Sequence, residues 1–154
     1  MEGRTDPART GVKAGRVVGL LTAGLAAVSL LRVRGSFYGG TTSFLELFGA
    51  ESWVPVSALF WGNLVFAAVA RYSVGYVVGS LIGVLYDWLD RPPLPVLVVI
   101  AGIVGLGDGL LAALDTRSIV IGSAYVLAWL CYVPVFAWLF DDDAGDVRTG
   151  PRRL

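Results

Sequence analysis

Long uncharged apolar segments are the feature that most restricts the fold of this 154-residue chain. The longest run without a charged residue covers 118–140, and another covers 52–70. A helix needs about 20 mostly apolar residues to cross the hydrocarbon core of a bilayer. Charged residues make up 16% of the chain and apolar residues 56%, whereas soluble domains average about 25% and about 45–50%. We therefore expect an integral membrane protein.

The spacing of the charged residues predicts an all-α bundle of five membrane-spanning helices. Their approximate ranges are 12–32, 53–70, 72–89, 95–114 and 118–140. Only Arg71 separates the second predicted span from the third. A single helix across both would be about 54 Å long at about 1.5 Å per residue, well beyond a hydrocarbon core of about 30 Å. We therefore expect a helical hairpin that turns around 69–73.

The segments outside the predicted spans are polar and mostly short. Residues 1–11 form an N-terminal tail, and 141–154 form a tail that is first acidic and then basic. The chain between them, 12–140, is expected to be one transmembrane domain. Its one long connection, 33–52, is predicted to lie at the membrane interface with a short amphipathic turn at 42–48.

The distribution of positive charge gives little information on orientation. Cytoplasmic loops of membrane proteins carry an excess of Lys and Arg. With five spans, six of the twelve Lys and Arg residues fall on each side of the membrane. The basic N-terminal tail favours an N-terminus inside and a C-terminus outside. We expect a multi-pass protein of the cell membrane, with the lipid bilayer as its first partner.

Small residues recur every four positions in the predicted spans. The third span carries Gly75, Gly79 and Gly83, and the fourth carries Ala101, Gly105 and Gly109. This spacing keeps the residues on one helix face, and small faces let helices approach closely in lipid. One interpretation is packing within the bundle. The other is an interface with a second copy of the chain or with another membrane protein.

Asp108 interrupts the fourth predicted span. An ionisable residue inside a span is a candidate functional residue, and this one shares a helix face with Ala101 and Gly105. We therefore expect Asp108 to face protein. Its three interpretations are a buried ion pair, a proton or cation site and a helix end that faces solvent. Three arginines on the same side of the membrane are candidate partners, namely Arg16, Arg71 and Arg117.

Two further features of the predicted spans allow both a structural and a functional interpretation. Asn63 lies near the middle of the second span, where its amide needs a hydrogen-bond partner on a neighbouring helix or on a ligand. In the fifth span, one helix face is aromatic. Its members, Tyr125, Trp129, Tyr132 and Phe136, would pack against a glycine face or form an apolar surface for a ligand.

Residues that support catalysis are scarce. The chain has no His and one Cys, which excludes imidazole metal sites, histidine triads and a disulfide within the chain. It has no nucleophile and base in a known arrangement, no phosphate-binding loop and no zinc-ligand spacing. The formal net charge of zero gives no general attraction to nucleic acid. We expect a non-enzymatic protein without a cofactor or metal.

Three functions are consistent with these patterns. The first is a small accessory or assembly subunit that packs through its glycine and alanine faces. The second is a small oligomeric transporter or channel that uses Asp108 as its proton or cation site. The third is a protein that binds or modifies a lipid or isoprenoid ligand. Asp108→Asn distinguishes the first two, because it would abolish flux in a transporter and only lower stability in a subunit.

Overall fold

The computed structural model describes residues 6–49 and 55–148, the last seven by backbone alone, and six helices joined by short turns account for almost all of them. The six helices are α1 (Pro7–Arg32), α2 (Arg34–Leu47), α3 (Val56–Trp88), α4 (Leu94–Thr116), α5 (Ile119–Leu130) and α6 (Tyr132–Arg148). The expected class, an all-α polytopic membrane protein, is confirmed. Residues 1–5 and 149–154 of the predicted tails lie outside the described residues. So does 50–54, where the predicted loop meets the second predicted span.

Four segments of the described chain are long and apolar enough to cross a membrane, instead of the five expected. They are Pro7–Arg32, Val56–Trp88, Leu94–Thr116 and Ile119–Asp141. The last combines α5 with the start of α6, since only Cys131 separates the two helices. Backbone hydrogen bonds from Cys131 N to Leu127 O and from Val135 N to Cys131 O continue across the break. Pro134, which has no N–H to donate, lies next to this break.

The predicted hairpin around 69–73 is wrong. Helix α3 runs without interruption over 33 residues. The segment 69–73 contains no Gly, Pro or Asn to favour a turn, and Arg is a good helix former. Arg71 does not mark a membrane surface, because Asp108 of α4 pairs with its charge inside the bundle. At about 50 Å, α3 must tilt in the bilayer or extend beyond its core.

Helix α2 occupies most of the predicted loop 33–52. It follows α1 after a single residue, Val33, whose N–H donates to Ser29 O, and Phe37 N–H donates in turn to Val33 O. The chain therefore remains helical where a loop was expected, and the predicted turn at 42–48 belongs largely to the end of α2. Phe37 also packs on Phe60 of α3, with ring centroids 5.5 Å apart.

Glycines bring α1 and α3 into direct backbone contact. The two helices are antiparallel, and α1 packs along α3 more extensively than along any other helix. A Cβ added to Gly11 would lie 2.7 Å from Gly79 O, and one added to Gly15 would lie 2.7 Å from Gly75 O. Neither position has room for a side chain. The glycine stripe at Gly75, Gly79 and Gly83 is thus occupied by packing within the chain.

The second small-residue stripe joins α4 to α5 in the same way. A Cβ added to Gly105 would lie 2.9 Å from the Cβ of Trp129, and one added to Gly109 would lie 2.7 Å from Gly122 O. Ala101, on the same face, is fully buried. The fold therefore consists of two antiparallel helical hairpins, one formed by α1 and α3 and the other by α4 with α5 and α6.

Aromatic side chains of α5 and α6 hold the two hairpins together. The hydroxyl of Tyr132 donates a hydrogen bond to Gly79 O at 2.9 Å. Phe136 packs against Tyr86 of α3, with ring centroids 5.1 Å apart. Trp129, Tyr132 and Phe136 are all fully buried in the core. By contrast, α3 and α4 touch each other very little.

Successive spans alternate in direction, which fixes the two ends of the bundle. Pro7, the turn between α3 and α4, and Asp141 lie at one end, here called the termini end. The other, called the opposite end, holds Arg32 and the turn between α4 and α5. At that turn Arg117 adopts a left-handed backbone conformation with φ of 49°.

Gly79→Ala is expected to lower the free energy of unfolding by about 1–3 kcal/mol, the usual effect of overpacking. Its Cβ would overlap the Cα of Gly15 and would lie 3.0 Å from Gly15 N, both backbone atoms. Gly102→Ala is the matched control, because a Cβ there meets nothing within 4 Å. Titration of the purified protein with sodium dodecyl sulfate, followed by circular dichroism, measures both. Equal stability of the two variants would contradict the close packing of α1 on α3.

Candidate functional site

An ion pair joins the two hairpins inside the bundle. Nη1 of Arg71 on α3 donates a hydrogen bond to Oδ1 of Asp108 on α4. Nε1 of Trp129 donates to the other carboxylate oxygen, Oδ2, at 3.0 Å. The guanidinium group also lies over the ring of Tyr125, with Cζ 4.8 Å from the ring centroid. Both carboxylate oxygens therefore have a donor, and the cation also contacts an aromatic face.

The packing of α4 on α5 positions this site. Asp108 lies on the helix face that also carries Gly105 and the buried Ala112. Because Gly105 has no side chain, the Cβ of Trp129 comes close to the α4 backbone, which brings the indole N–H within reach of Asp108. Tyr125 precedes Trp129 by one helical turn and so shares its face. One glycine contact thus aligns both aromatic rings with the ion pair.

Asp108 lies nearer to the opposite end of its helix than to the termini end. Asp108 is eight residues before the end of α4 at Thr116, which corresponds to about 12 Å from the opposite end. It is 14 residues after the start of α4 at Leu94, or about 21 Å from the termini end, whereas Arg71 lies near the middle of the longer helix α3. Water entering from the opposite end has the shorter path to the ion pair.

A cavity of about 650 Å³ connects the ion pair to the opposite end. Four helices contribute to its wall, for example through Ala26 of α1, Ala67 of α3, Ala112 of α4 and Ile121 of α5. Arg71 and Tyr125 form its inner part. The polar residues nearer the opening are Ser29, Arg32, Asn63, Asp115, Thr116 and Ser118. The cavity is therefore wide enough for a ligand and mixed in polarity, with a guanidinium group deep inside.

Arg71, rather than Asp108, is the member of the pair that faces the cavity. The side chain of Arg71 is 31% exposed and lines the cavity, whereas that of Asp108 is 13% exposed. A guanidinium group carries five N–H donors. Within the described part of the chain, Asp108 is the one hydrogen-bond acceptor for Arg71. The remaining donors are available to water or to a ligand.

The other two predicted partners of Asp108 lie elsewhere. Arg16 belongs to the half of α1 nearer the termini end, where its Cζ lies 5.7 Å from the ring centroid of Tyr76. Arg117 follows α4 at the exposed turn of the opposite end. Of the three arginines, only Arg71 contacts Asp108. The functional role of Asp108 stays a prediction.

Asn63 lies closer to the opposite end than the five-span arrangement predicts. It is exposed and lines the cavity. Across 6–49 and 55–148, no side chain on another helix hydrogen-bonds to it. The reason is that α3 begins at Val56 and continues to Trp88, so that Asn63 is near the end of one long span and not in the middle of a short one.

The predicted aromatic ligand face lies mainly in the protein core. Trp129, Tyr132 and Phe136 are buried against α1, α3 and α4, while Tyr125 contributes to the cavity wall. The sequence analysis did not foresee that Trp129 donates to Asp108. Two features of the sequence could have indicated this contact. Trp129 and Tyr125 are one turn apart on the same face of their helix, and on α4 the small residue Gly105 lies one turn before Asp108.

The fold and the site define a polytopic helical membrane protein with an ion pair at the inner end of a cavity. No protein-family model, curated protein or solved structure was found to match the chain. Function must therefore be inferred from the chemistry of the site. A guanidinium group with open N–H donors, aromatic support and hydroxyl groups nearby is suited to binding.

Asp108→Asn is expected to lower the free energy of unfolding by about 3 kcal/mol, the lower end of the range for breaking a buried ion pair, because it leaves the charge of Arg71, whose side chain is 31% exposed, without a carboxylate inside the bundle. The double variant Arg71→Gln with Asp108→Asn should recover part of this loss, since neither charge is then unpaired. Titration with sodium dodecyl sulfate gives the free energies for a double-mutant cycle.

Asp115→Asn is the control for this cycle. Asp115 is exposed at the cavity opening, and its replacement should change stability by less than about 0.5 kcal/mol. Strictly additive effects of the Arg71 and Asp108 substitutions would show that the two side chains do not interact.

Proposed function

We propose that this protein is a small, non-enzymatic membrane protein that binds a ligand in the cavity between its two hairpins. The supporting observation is that the charged face of the Arg71–Asp108 pair lies at the inner end of that cavity. Ionisable residues inside a membrane are unfavourable and usually serve function. An ion pair that only held helices together would be replaceable by apolar packing, and would need no cavity beside it.

The contacts around Asp108 favour ligand binding over the proton or cation site predicted from sequence. Both of its oxygens already accept hydrogen bonds, from Arg71 and Trp129. A cation would have to displace the guanidinium group. On the termini side of the ion pair, the fully buried Tyr132 and Phe136 fill the interior. These contacts support a cavity open at one end rather than a pore through a single chain.

The accessory subunit remains a second candidate. The glycine stripes no longer favour it, because they are occupied within the chain. Exposed apolar side chains on α2, which is not one of the four candidate spans, do favour it, namely Phe44 and Leu47. Extraction from the native membrane in mild detergent tests it. A stoichiometric partner that is lost in the Leu47→Ser variant would support a subunit, whereas a chain that purifies without any other protein would oppose it.

The four-span arrangement distributes the positive charges unevenly, and we infer the orientation from that imbalance. Eight Lys and Arg residues belong to the termini end or to the tails that continue from it: Arg4, Arg9, Lys13, Arg16, Arg91, Arg148, Arg152 and Arg153. Three belong to the opposite end, Arg32, Arg34 and Arg117, and Arg71 lies between. Because positive charge is enriched on the cytoplasmic side, the termini end lies on the cytoplasmic side of the cell membrane and the cavity opens on the outer side.

Cysteine labelling in sealed vesicles of known orientation tests the cavity and the orientation together. The chain has a single cysteine, Cys131, so Cys131→Ser gives a cysteine-free background. In that background, Ala67→Cys is expected to react with a membrane-impermeant maleimide added from outside, because Ala67 lines the cavity. Arg9→Cys, near the start of α1, should react only from inside.

Leu110→Cys is the matched control, since Leu110 lies on the apolar outer surface of α4 and is 62% exposed there. Lipid should protect it from the reagent on both sides. Labelling of Ala67→Cys from inside would reverse the orientation. Failure to label it from either side, in protein that retains its helical circular dichroism, would argue against a water-accessible cavity and thus against the proposed function.

A further inference from the structure

We propose that the ligand of this cavity carries an oxyanion, a phosphate or a carboxylate group, which Arg71 binds through the N–H groups that it does not donate to Asp108. This inference rests on the proposed ligand-binding function and names the chemical class of the ligand. The residue that binds the ligand is then Arg71 and not Asp108, which the sequence singles out. The carboxylate of Asp108 holds Arg71 in place.

The geometry of the guanidinium group is the first argument. Of its five N–H donors, those of Nη1 are directed towards Asp108, to which Nη1 donates a hydrogen bond. One face of the group is covered by Tyr125, which fixes its plane. The hydrocarbon core supplies no acceptor for the other donors, so water in the cavity or a ligand must supply one. A planar fork of N–H donors matches two oxygens of a carboxylate or phosphate.

The charge distribution along the cavity is the second argument. Three charged residues line it, Arg32, Arg71 and Asp115. Arg32 and Asp115 both lie near the opening, whereas Arg71 is the charged residue at the inner end. Asp108 balances the charge of Arg71 but lies behind it and is largely shielded from the cavity. An anion that has passed the opening therefore meets the hydrogen-bond donors of Arg71 before it meets Asp108.

The rest of the lining is suited to a ligand with both polar and apolar parts. Ser29, Asn63 and Ser118 offer hydroxyl and amide groups, while Leu30 and Ile121 are apolar. The volume of about 650 Å³ is much larger than a phosphate ion and lies within the range typical of small-molecule sites. Because α3 and α4 touch little outside the ion pair, a chain attached to the anionic group has a path towards lipid.

The test compares two small thiol reagents of opposite charge on full-length protein in vesicles. In the cysteine-free background, Ala67→Cys is treated from outside with a sulfonate-bearing or a trimethylammonium-bearing methanethiosulfonate. Gly40→Cys on α2, which is exposed and open to solvent, gives the reference ratio of the two rates. We expect the ratio at Ala67→Cys to favour the anionic reagent by roughly ten-fold over the reference, because a unit charge at about 6 Å in water changes each rate by about three-fold and in opposite directions.

Two variants show whether Arg71 causes the preference. Arg71→Gln combined with Asp108→Asn leaves no unpaired charge, so that the bundle is expected to fold, and should return the ratio to the reference. Arg71→Lys keeps the positive charge and should retain most of the preference. A ratio equal to the reference in the unaltered site would overturn the oxyanion proposal while leaving the cavity in place. Absence of labelling by both reagents would instead reject the proposed function.

Protection experiments distinguish a soluble anion from a lipid. Inorganic phosphate is added to vesicles of phosphatidylcholine, or phosphatidylglycerol is included in vesicles without phosphate, and labelling of Ala67→Cys is compared with that of Gly40→Cys. Selective slowing by phosphate indicates a soluble oxyanion, and selective slowing by phosphatidylglycerol indicates a lipid headgroup. Either effect should disappear in the Arg71→Gln, Asp108→Asn variant. Protection by neither would overturn the proposal.

Discussion

The ion pair between Arg71 and Asp108 determines the architecture on which the other features depend. A charge in the middle of an apolar segment normally marks a place where the chain leaves the membrane. Here the carboxylate of α4 balances the guanidinium of α3, and Trp129 completes the hydrogen bonding of the carboxylate. Helix α3 can therefore continue through Arg71. That continuity leaves four spans and brings the start of α1 and the end of the last span to the same end of the bundle.

Small residues and aromatic residues have complementary structural roles around this pair. Glycine contacts fix the distance between α1 and α3 and between α4 and α5, so each hairpin is rigid at the backbone level. Aromatic side chains of α5 and α6 then fill the space between the hairpins near the termini end. Towards the opposite end this filling stops at Trp129 and Tyr125, and the space beyond them forms the cavity. The distribution of large and small side chains between the hairpins therefore produces both the packed core and the cavity.

Much of the fold followed from local sequence patterns. Apolar composition gave the class, and the four-residue spacing of Gly79 and Gly105 gave helix faces that do pack closely. Such patterns are readable because they depend on neighbours along one helix. The hairpin at 69–73 was predicted wrongly because the state of Arg71 depends on Asp108, 37 residues away. Charge and length alone could not show that a partner on another span would neutralise it.

The candidate site was predictable only in part for the same reason. Asp108 was identified because an acidic residue in an apolar span is visible in sequence, and Arg71 was one of three candidate partners. Which arginine pairs with it depends on the number of spans. The contribution of Trp129 depends on the absence of a side chain at Gly105 of the opposing helix. The cavity belongs to four helices at once, so no single segment of the sequence encodes it.

The most direct test of the central claim is a distance within α3 measured by double electron–electron resonance. Gly62 and Leu81 lie on either side of Arg71, and both are exposed at the helix surface. Spin labels at these two positions, in the Cys131→Ser background and in lipid vesicles, should be about 28 Å apart along a continuous helix. A distance near 10 Å, typical of neighbouring helices in a hairpin, would show that the chain turns at Arg71 and would contradict the arrangement described.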